Sequence, residues 1–136
     1  MNYDLIGDIH GHADKLEALL VKMGYCASGP GYKAPFGHQA VFVGDLIDRG
    51  PKQLRVLEIA RAMIDSGDAL AVMGNHEFNA IAFVTEDGNG GFLRKHNANK
   101  REQHEAFLAA VGEGSPLHME WVEWFKTLPI DRKSVV

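Results

Sequence analysis

The sequence has a single cysteine, Cys26, among 136 residues. That excludes an internal disulfide and any thiolate cluster around a metal, and it suits a reducing compartment. Cys26 itself reads as a half-buried small apolar residue. No apolar run approaches the roughly 18 residues that a membrane helix needs. Met1 leads directly into a strand-like run, without the basic segment and apolar core of a secretory signal, so the cytoplasm is the expected location. Basic charge is also scarce: 14 Lys and Arg against 18 Asp and Glu leave a net −4. The cations are scattered, which argues against a protein that grips a nucleic-acid backbone. A negatively charged substrate would need local help, from a metal or a placed arginine.

What the chain does have is enough apolar material, 46% of residues, for one domain with a real core. Tyr3 to Ile6 reads as a short strand closed by Gly7, and from Asp14 the spacing of Leu16, Leu19, Leu20 and Met23 predicts an amphipathic helix ending at Gly24. The breaker-rich stretch "SGPGYKAPFGH" (28 to 38) reads as a loop, or as a turn around a short edge strand. "AVFV" (40 to 43) predicts a strand covered on both faces. Pro51 then stands in the first turn of a helix whose inward stripe is Leu54, Leu57, Ala60 and Ile64. "ALAVM" (69 to 73) is a third strand, giving the order β-α-β-α-β, and such crossovers place the strands parallel in one sheet. Helices are expected over 76 to 84, 98 to 110 and from Ser115-Pro116 onward, the last with a core stripe of Leu117, Trp121, Trp124, Phe125 and Leu128.

Each of the three strands ends alike, in a glycine followed by a small oxygen-bearing side chain: Gly7-Asp8, Gly44-Asp45 and Gly74-Asn75. At the carboxyl edge of one parallel sheet these would converge on the crevice where open α/β sheets bind ligands. The glycines allow sharp turns and close backbone approach there.

The surrounding motifs are "GDIHG" (7 to 11), "GDLIDRG" (44 to 50) and "GNHE" (74 to 77). Together, in this order and spacing, they closely resemble the signature of the phosphoprotein phosphatase family of calcineurin-like metallophosphoesterases, which includes serine/threonine phosphatases and symmetrical diadenosine tetraphosphatases. The resemblance covers roughly residues 3 to 84. It implies the βαβαβ half of a metallophosphoesterase sandwich, an α/β fold, followed by helices. It also implies a metal-dependent phosphoesterase with two divalent ions, of Mn, Fe or Zn type. Asp8 and His10 would hold the first metal, Asp45 would bridge, and Asn75 would bind the second and face the substrate. His76 would be the general acid, Asp48 its orienting carboxylate and Arg49 the fork on the phosphate oxygens. Glu77 reads as a support for these residues. The substrate would be a phosphorylated protein or a dinucleoside polyphosphate.

Other histidines fit less well. His12 has the right neighbourhood but no matching role, and His38, His96, His104 and His118 read as solvated surface imidazoles. The run "RKHNANKR" (94 to 101), with Arg94, Lys95, Lys100 and Arg101, reads as a solvated face, with substrate contact as the alternative.

Members of the resembled family continue past this length and supply two further histidines to the second metal and another phosphate-binding arginine. The 136 residues are therefore expected to be a single domain truncated at its C-terminus. Its second metal site would be weak, and its sheet would lie partly uncovered. The competing expectation is a catalytically incompetent metal-binding fragment that self-associates through that sheet.

Overall fold

The computed structural model describes residues 1–130. Its elements are β1 (Asn2–Ile6), α1 (Ala13–Lys22), β2 (Cys26–Ser28), β3 (Gly31–Lys33), β4 (His38–Phe42), α2 (Gln53–Asp65), β5 (Ala69–Ala71), α3 (Asn75–Val84), α4 (Ala98–Val111) and α5 (Pro116–Phe125). β1, β4 and β5 form a parallel sheet in the order β1-β4-β5, with Ile6 beside Phe42 and Phe42 beside Ala71. All three strands thus finish on one rim. This is the expected α/β architecture, with the parallel βαβαβ unit followed by helices.

Alternation within the strands decides which face is covered. Ile6, Ala40, Phe42, Ala69 and Ala71 join the core with Leu16 and Leu20 of α1 and Val56, Leu57, Ile59, Ala60 and Met63 of α2. The inward stripe of α2 is wider than the sequence suggested. Leu57 and Ala60 are in it, but Met63 takes the place expected for Ile64, and Leu54 and Ile64 are only partly buried. α2 also starts later than the position of Pro51 implied. Its first residue is Gln53, because Lys52 holds φ −124° and ψ 62°, outside the helical region, and serves as the N-cap.

On the other face of the sheet, Tyr3 and Leu5 are 54% and 72% exposed, and Val43, just past β4, is 45% exposed. Ala40, Val41 and Phe42 are buried as expected of a strand covered on both faces, whereas Val43 is not. The sheet is therefore partly uncovered.

The breaker-rich stretch resolves into an antiparallel hairpin, β2 with β3, turning at Gly29-Pro30. Tyr32 and Arg55 both bond Glu17 at 2.8 Å, which ties the hairpin to α1 and α2. Cys26 opens β2 and is exposed, not half-buried, since nothing packs on that side of so short a hairpin. In α5, Trp121, Trp124 and Phe125 are buried with Leu128 beyond it, while Leu117, in the first turn, lies at 36% exposure at the edge of the stripe. The Met73 N–H donates to the Pro129 carbonyl at 2.7 Å, so the chain after α5 returns to the rim strand.

Candidate metal centre and active site

Two loops build the rim, 7–12 after β1 and 43–52 after β4, and backbone bonds sew them together. His10 N–H donates to Asp45 O (2.9 Å), Gly11 N–H to Leu46 O (2.8 Å), Gly50 N–H to His10 O (2.7 Å) and Lys52 N–H to Gly11 O (2.9 Å). Such close backbone contact leaves no room for a side chain at Gly44, where a Cβ would lie 2.4 Å from the Gly74 backbone and where φ is +93°. Non-glycine residues with positive φ are Asp8, His10, Asp45, Asp48 and Arg49, all of them residues singled out from the motifs. Each sits in a sparsely populated region that costs of order 1–3 kcal/mol and is held by its surroundings.

One donor atom from each of Asp8, His10 and Asp45 lies within 4.8 Å of the others. Neighbouring ligands of a cation about 2.1 Å away lie roughly 3.5 Å apart, so the three donors are close enough to converge on a divalent ion by side-chain rotation. His10 is 8% exposed, and its Nδ1 lies 2.9 Å from the Ile47 carbonyl. Donation from Nδ1 to that carbonyl leaves Nε2 as the free donor atom, 3.9 Å from Asp8. Metal-binding histidines are commonly oriented this way. Asp8 itself is 88% exposed at its side chain. Asn75, the first residue of α3, is exposed at the end of the third strand segment. Oxygen donors with an imidazole suit Mn, Fe or Zn in general.

α3 begins at the rim, so its first two residues and its capping side chain all belong to the site. His76 N–H donates to Asp45 Oδ1 (3.2 Å), its ring Nδ1 is 2.7 Å from Asp48 Oδ2, and the ring stands edge-on to His10 with centroids 4.6 Å apart. Glu77 is fully buried. Its carboxylate accepts the N–H groups of Asp45 (2.8 Å), Leu46 (2.8 Å) and Gly74 (2.9 Å). Burial pushes the Glu77 carboxyl above the usual range, and the three N–H bonds oppose that rise. Glu77 thus clasps the loop after β4 to the start of α3, in the manner of a capping side chain reaching back.

Arg49 is exposed and lines a cavity of about 490 Å³ with Asp48, His76, Asn79 and, from the other side, Arg94, Glu102, Gln103 and His104. The basic run therefore divides. Arg94 faces this cavity and bonds Gln103 (3.1 Å), with its Nε buried and unpartnered among the described residues, whereas Arg101 pairs with Glu113 (2.9 Å).

The structure revises the reading of the remaining histidines. His104 is 3% exposed with Nδ1 at 2.7 Å from Asp48 Oδ1, and His118 is 1% exposed. His96 is half-buried, stacked between Phe83 (3.8 Å) and Phe92 (4.3 Å), with Nε2 bonded to the Phe83 carbonyl at 2.6 Å. His38 is half-buried against Asp4 (3.2 Å). A signal for the two buried ones was there: 104, 107, 108 and 111, and again 118, 121, 122 and 125, are helical spacings in which a histidine heads an apolar stripe. Gln53 carried no signal. Buried at 2%, it accepts the Asp48 N–H (2.8 Å) and donates to the Gly50 carbonyl (2.9 Å), holding the strained turn between them.

A parallel α/β sheet whose carboxyl rim carries converging oxygen and imidazole donors, with an Asp-bound histidine beside them, defines a protein built to hold cations against a ligand. The chain belongs to the calcineurin-like phosphoesterase family, whose model matches residues 1–135. It is 43% identical over 76 residues to an asymmetrical bis(5'-nucleosyl)-tetraphosphatase PrpE of Halalkalibacterium halodurans, covering 56% of this chain and 31% of that protein. The PrpE tetraphosphatase of Bacillus subtilis is 41% identical over the same length. The chain thus spans about a third of the length of these curated relatives. Among solved structures, a Saccharomyces cerevisiae serine/threonine phosphatase with similarity to human PP5 superposes with a TM-score of 0.61 at 18% identity, over 93% of this chain and 33% of that one. A putative diadenosine tetraphosphatase superposes with a TM-score of 0.52 at 23% identity, over 93% and 42%. These two share the fold. Among the described residues no helix is long and apolar enough to cross a membrane.

Proposed function

We propose that this chain carries the catalytic rim of a metal-dependent phosphoesterase whose substrate is a dinucleoside polyphosphate. The observation that carries the reading is His76, held by Asp48 at 2.7 Å directly against the Asp8-His10-Asp45 cluster. With Nδ1–H donated to Asp48, the Nε2 of His76 is free to hold a proton and deliver it to the oxygen that leaves phosphorus. Arg49 forks onto the phosphoryl oxygens, a planar match that a lysine lacks. Asp8, His10 and Asp45 would hold a cation, with Asn75 the residue that would contribute to a second, weaker position and to substrate contact. Cations of the Mn, Fe or Zn kind supply a water that is nucleophilic at neutral pH and neutralise phosphoryl charge.

Two features support a polyphosphate over a phosphoprotein. Arg94 lines the same cavity as Arg49, so phosphates beyond the reacting one would meet a second cation. The curated relatives that match 76 residues of this chain are named tetraphosphatases. Release of product from diadenosine tetraphosphate and from p-nitrophenyl phosphate, with Mn and with chelator, tests the reading. Asp45→Asn and His76→Ala should each lower the metal-dependent rate by at least about 100-fold. A rate indifferent to both substitutions overturns the enzyme reading, and faster turnover of a phosphopeptide than of the dinucleotide overturns the substrate class.

A second reading, a metal-binding module that self-associates without turnover, is favoured by the exposed Tyr3, Leu5 and Val43 on one face of the sheet. Sedimentation separates them: a dimer that dissociates on Leu5→Lys, together with no hydrolysis, supports the second reading. The single cysteine, exposed and free, suits a cytoplasmic location.

A further inference from the structure

Asp48 answers to two histidines. His76 of α3 takes its Oδ2 and His104 of α4 takes its Oδ1, each at 2.7 Å, across 28 and 56 residues of sequence. Both Asp48 and His104 are buried, at 4% and 3% exposure, and the Asp48 N–H is consumed by Gln53. A carboxylate removed from water needs a donor on each oxygen. Among the described residues, the inner oxygen has one only through His104. With that oxygen bound, the carboxylate plane cannot swing, and the outer oxygen is fixed in the direction of His76.

The hydrogen bonds also settle which ring atoms carry protons. His104 donates from Nδ1 to a carboxylate, so in its neutral form Nε2 is an acceptor. His118 accepts the Gly114 N–H at its Nδ1 (3.0 Å), so its proton sits on Nε2. These two Nε2 atoms are buried and unpartnered among the described residues, and their rings flank the same side chain, Phe107, at 5.1 and 5.7 Å. One is an acceptor and the other a donor, so they are complementary. Burial holds the His118 imidazole below its usual basicity, and any charge on His104 would add to that.

We propose that His104 is a positioning residue: by clamping Asp48 from the interior it fixes the tautomer and direction of His76, with His118 as its neighbour across Phe107. The catalytic consequence rests on the reading of His76 as the proton donor; the clamp itself is a statement about hydrogen bonds alone.

The test uses the whole chain and two kinds of readout. Nitrogen-15 NMR of the imidazoles reports tautomer and bonding without any turnover. In the unsubstituted protein His104 should be protonated at Nδ1, and His76 should show a slowly exchanging, strongly deshielded Nδ1–H. His104→Asn places an amide N–H close to the lost Nδ1, while His104→Gln does not. The His76 signal should survive in His104→Asn and be lost to exchange in His104→Gln and His104→Ala. Hydrolysis of p-nitrophenyl phosphate with Mn should follow: kcat down about 10- to 100-fold in His104→Gln with KM little changed, and largely recovered in His104→Asn. A His76 signal alike in all folded variants, or a His104 protonated only at Nε2, overturns the proposal. So does a kcat that falls equally in Asn and Gln variants. An intact NMR pattern without any hydrolysis by the unsubstituted chain supports the clamp and overturns the phosphoesterase reading instead.

Discussion

The Oε2 of Glu77 accepts the N–H of Leu46 at 2.8 Å, joining the first turn of α3 to the loop after β4 across 31 residues of sequence. Its partner oxygen accepts two more N–H groups, from Asp45 and Gly74. Glu77→Gln replaces one acceptor oxygen with a donor and leaves a buried N–H facing another N–H. The expected loss is about 1–3 kcal/mol, read as a lower urea midpoint at unchanged slope. Glu77→Ala should cost more. Equal midpoints for the three proteins would show that the clasp contributes nothing.

The Asp8, His10 and Asp45 donors should bind Mn in the absence of any substrate. Calorimetric titration is expected to give one dominant site, and His10→Ala or Asp45→Asn should weaken it by well over about tenfold, since even residues that only orient a ligand are worth 10- to 100-fold. Lys52→Ala, which removes an exposed pair with Asp14 (2.8 Å), serves as the control. Binding undiminished by Asp45→Asn would place the cation elsewhere.

Gly44 and Gly67 separate strain from crowding. Both have positive φ, +93° and +82°, but a Cβ at Gly67 meets open space while one at Gly44 strikes the Gly74 backbone at 2.4 Å. Gly67→Ala should cost about 1–2 kcal/mol, the left-handed penalty alone. Gly44→Ala adds overpacking of about 1–3 kcal/mol, and it should also weaken Mn, because Asp45 is the next residue. Thermal unfolding of the two variants checks the difference.

Much of this was legible in the residue pattern because it rests on local rules. Three apolar runs, each closed by a glycine and a ligand-type side chain, gave the order of strands and the rim where Asp8, Asp45 and Asn75 stand. The end of α1 followed from Gly24 and the start of α5 from Ser115-Pro116. What escaped notice depends on contacts between elements far apart in sequence. His104 looked like a polar residue on a polar helix, and only the approach of α4 to Asp48 makes it interior. Gln53 looked like any residue in a first helical turn. The start of α2 differs from the expectation because Pro51 is a favourable first-turn residue, whereas Lys52 after it is non-helical and caps a helix that begins at Gln53.

His118 predicts a pH effect on stability. Burial and His104 lower its pKa in the folded protein below the ordinary 6.5. The unfolded chain therefore binds the proton more readily, and stability from this group is full above about pH 6.5 and is lost as pH falls through the folded value. Urea unfolding at pH 7.5 and at pH 5 should show a smaller loss for His118→Asn, whose amide oxygen can still accept the Gly114 N–H. An identical loss in both proteins would show that His118 titrates as it does in the open chain.

Two helices contribute an imidazole to the same carboxylate, and this constrains which lengths of chain the protein tolerates. The connection over 85–97 contains a bridge between Glu86 and Phe92 and ends at Asn97, which caps α4 by accepting the Lys100 N–H at 2.9 Å, so slack can be taken up before α4 begins. Between Asn97 and His104 no slack exists. One residue inserted there advances the helical phase by roughly 100° and carries the ring off the interior, so drift in this lineage should accumulate ahead of the cap and stop at it.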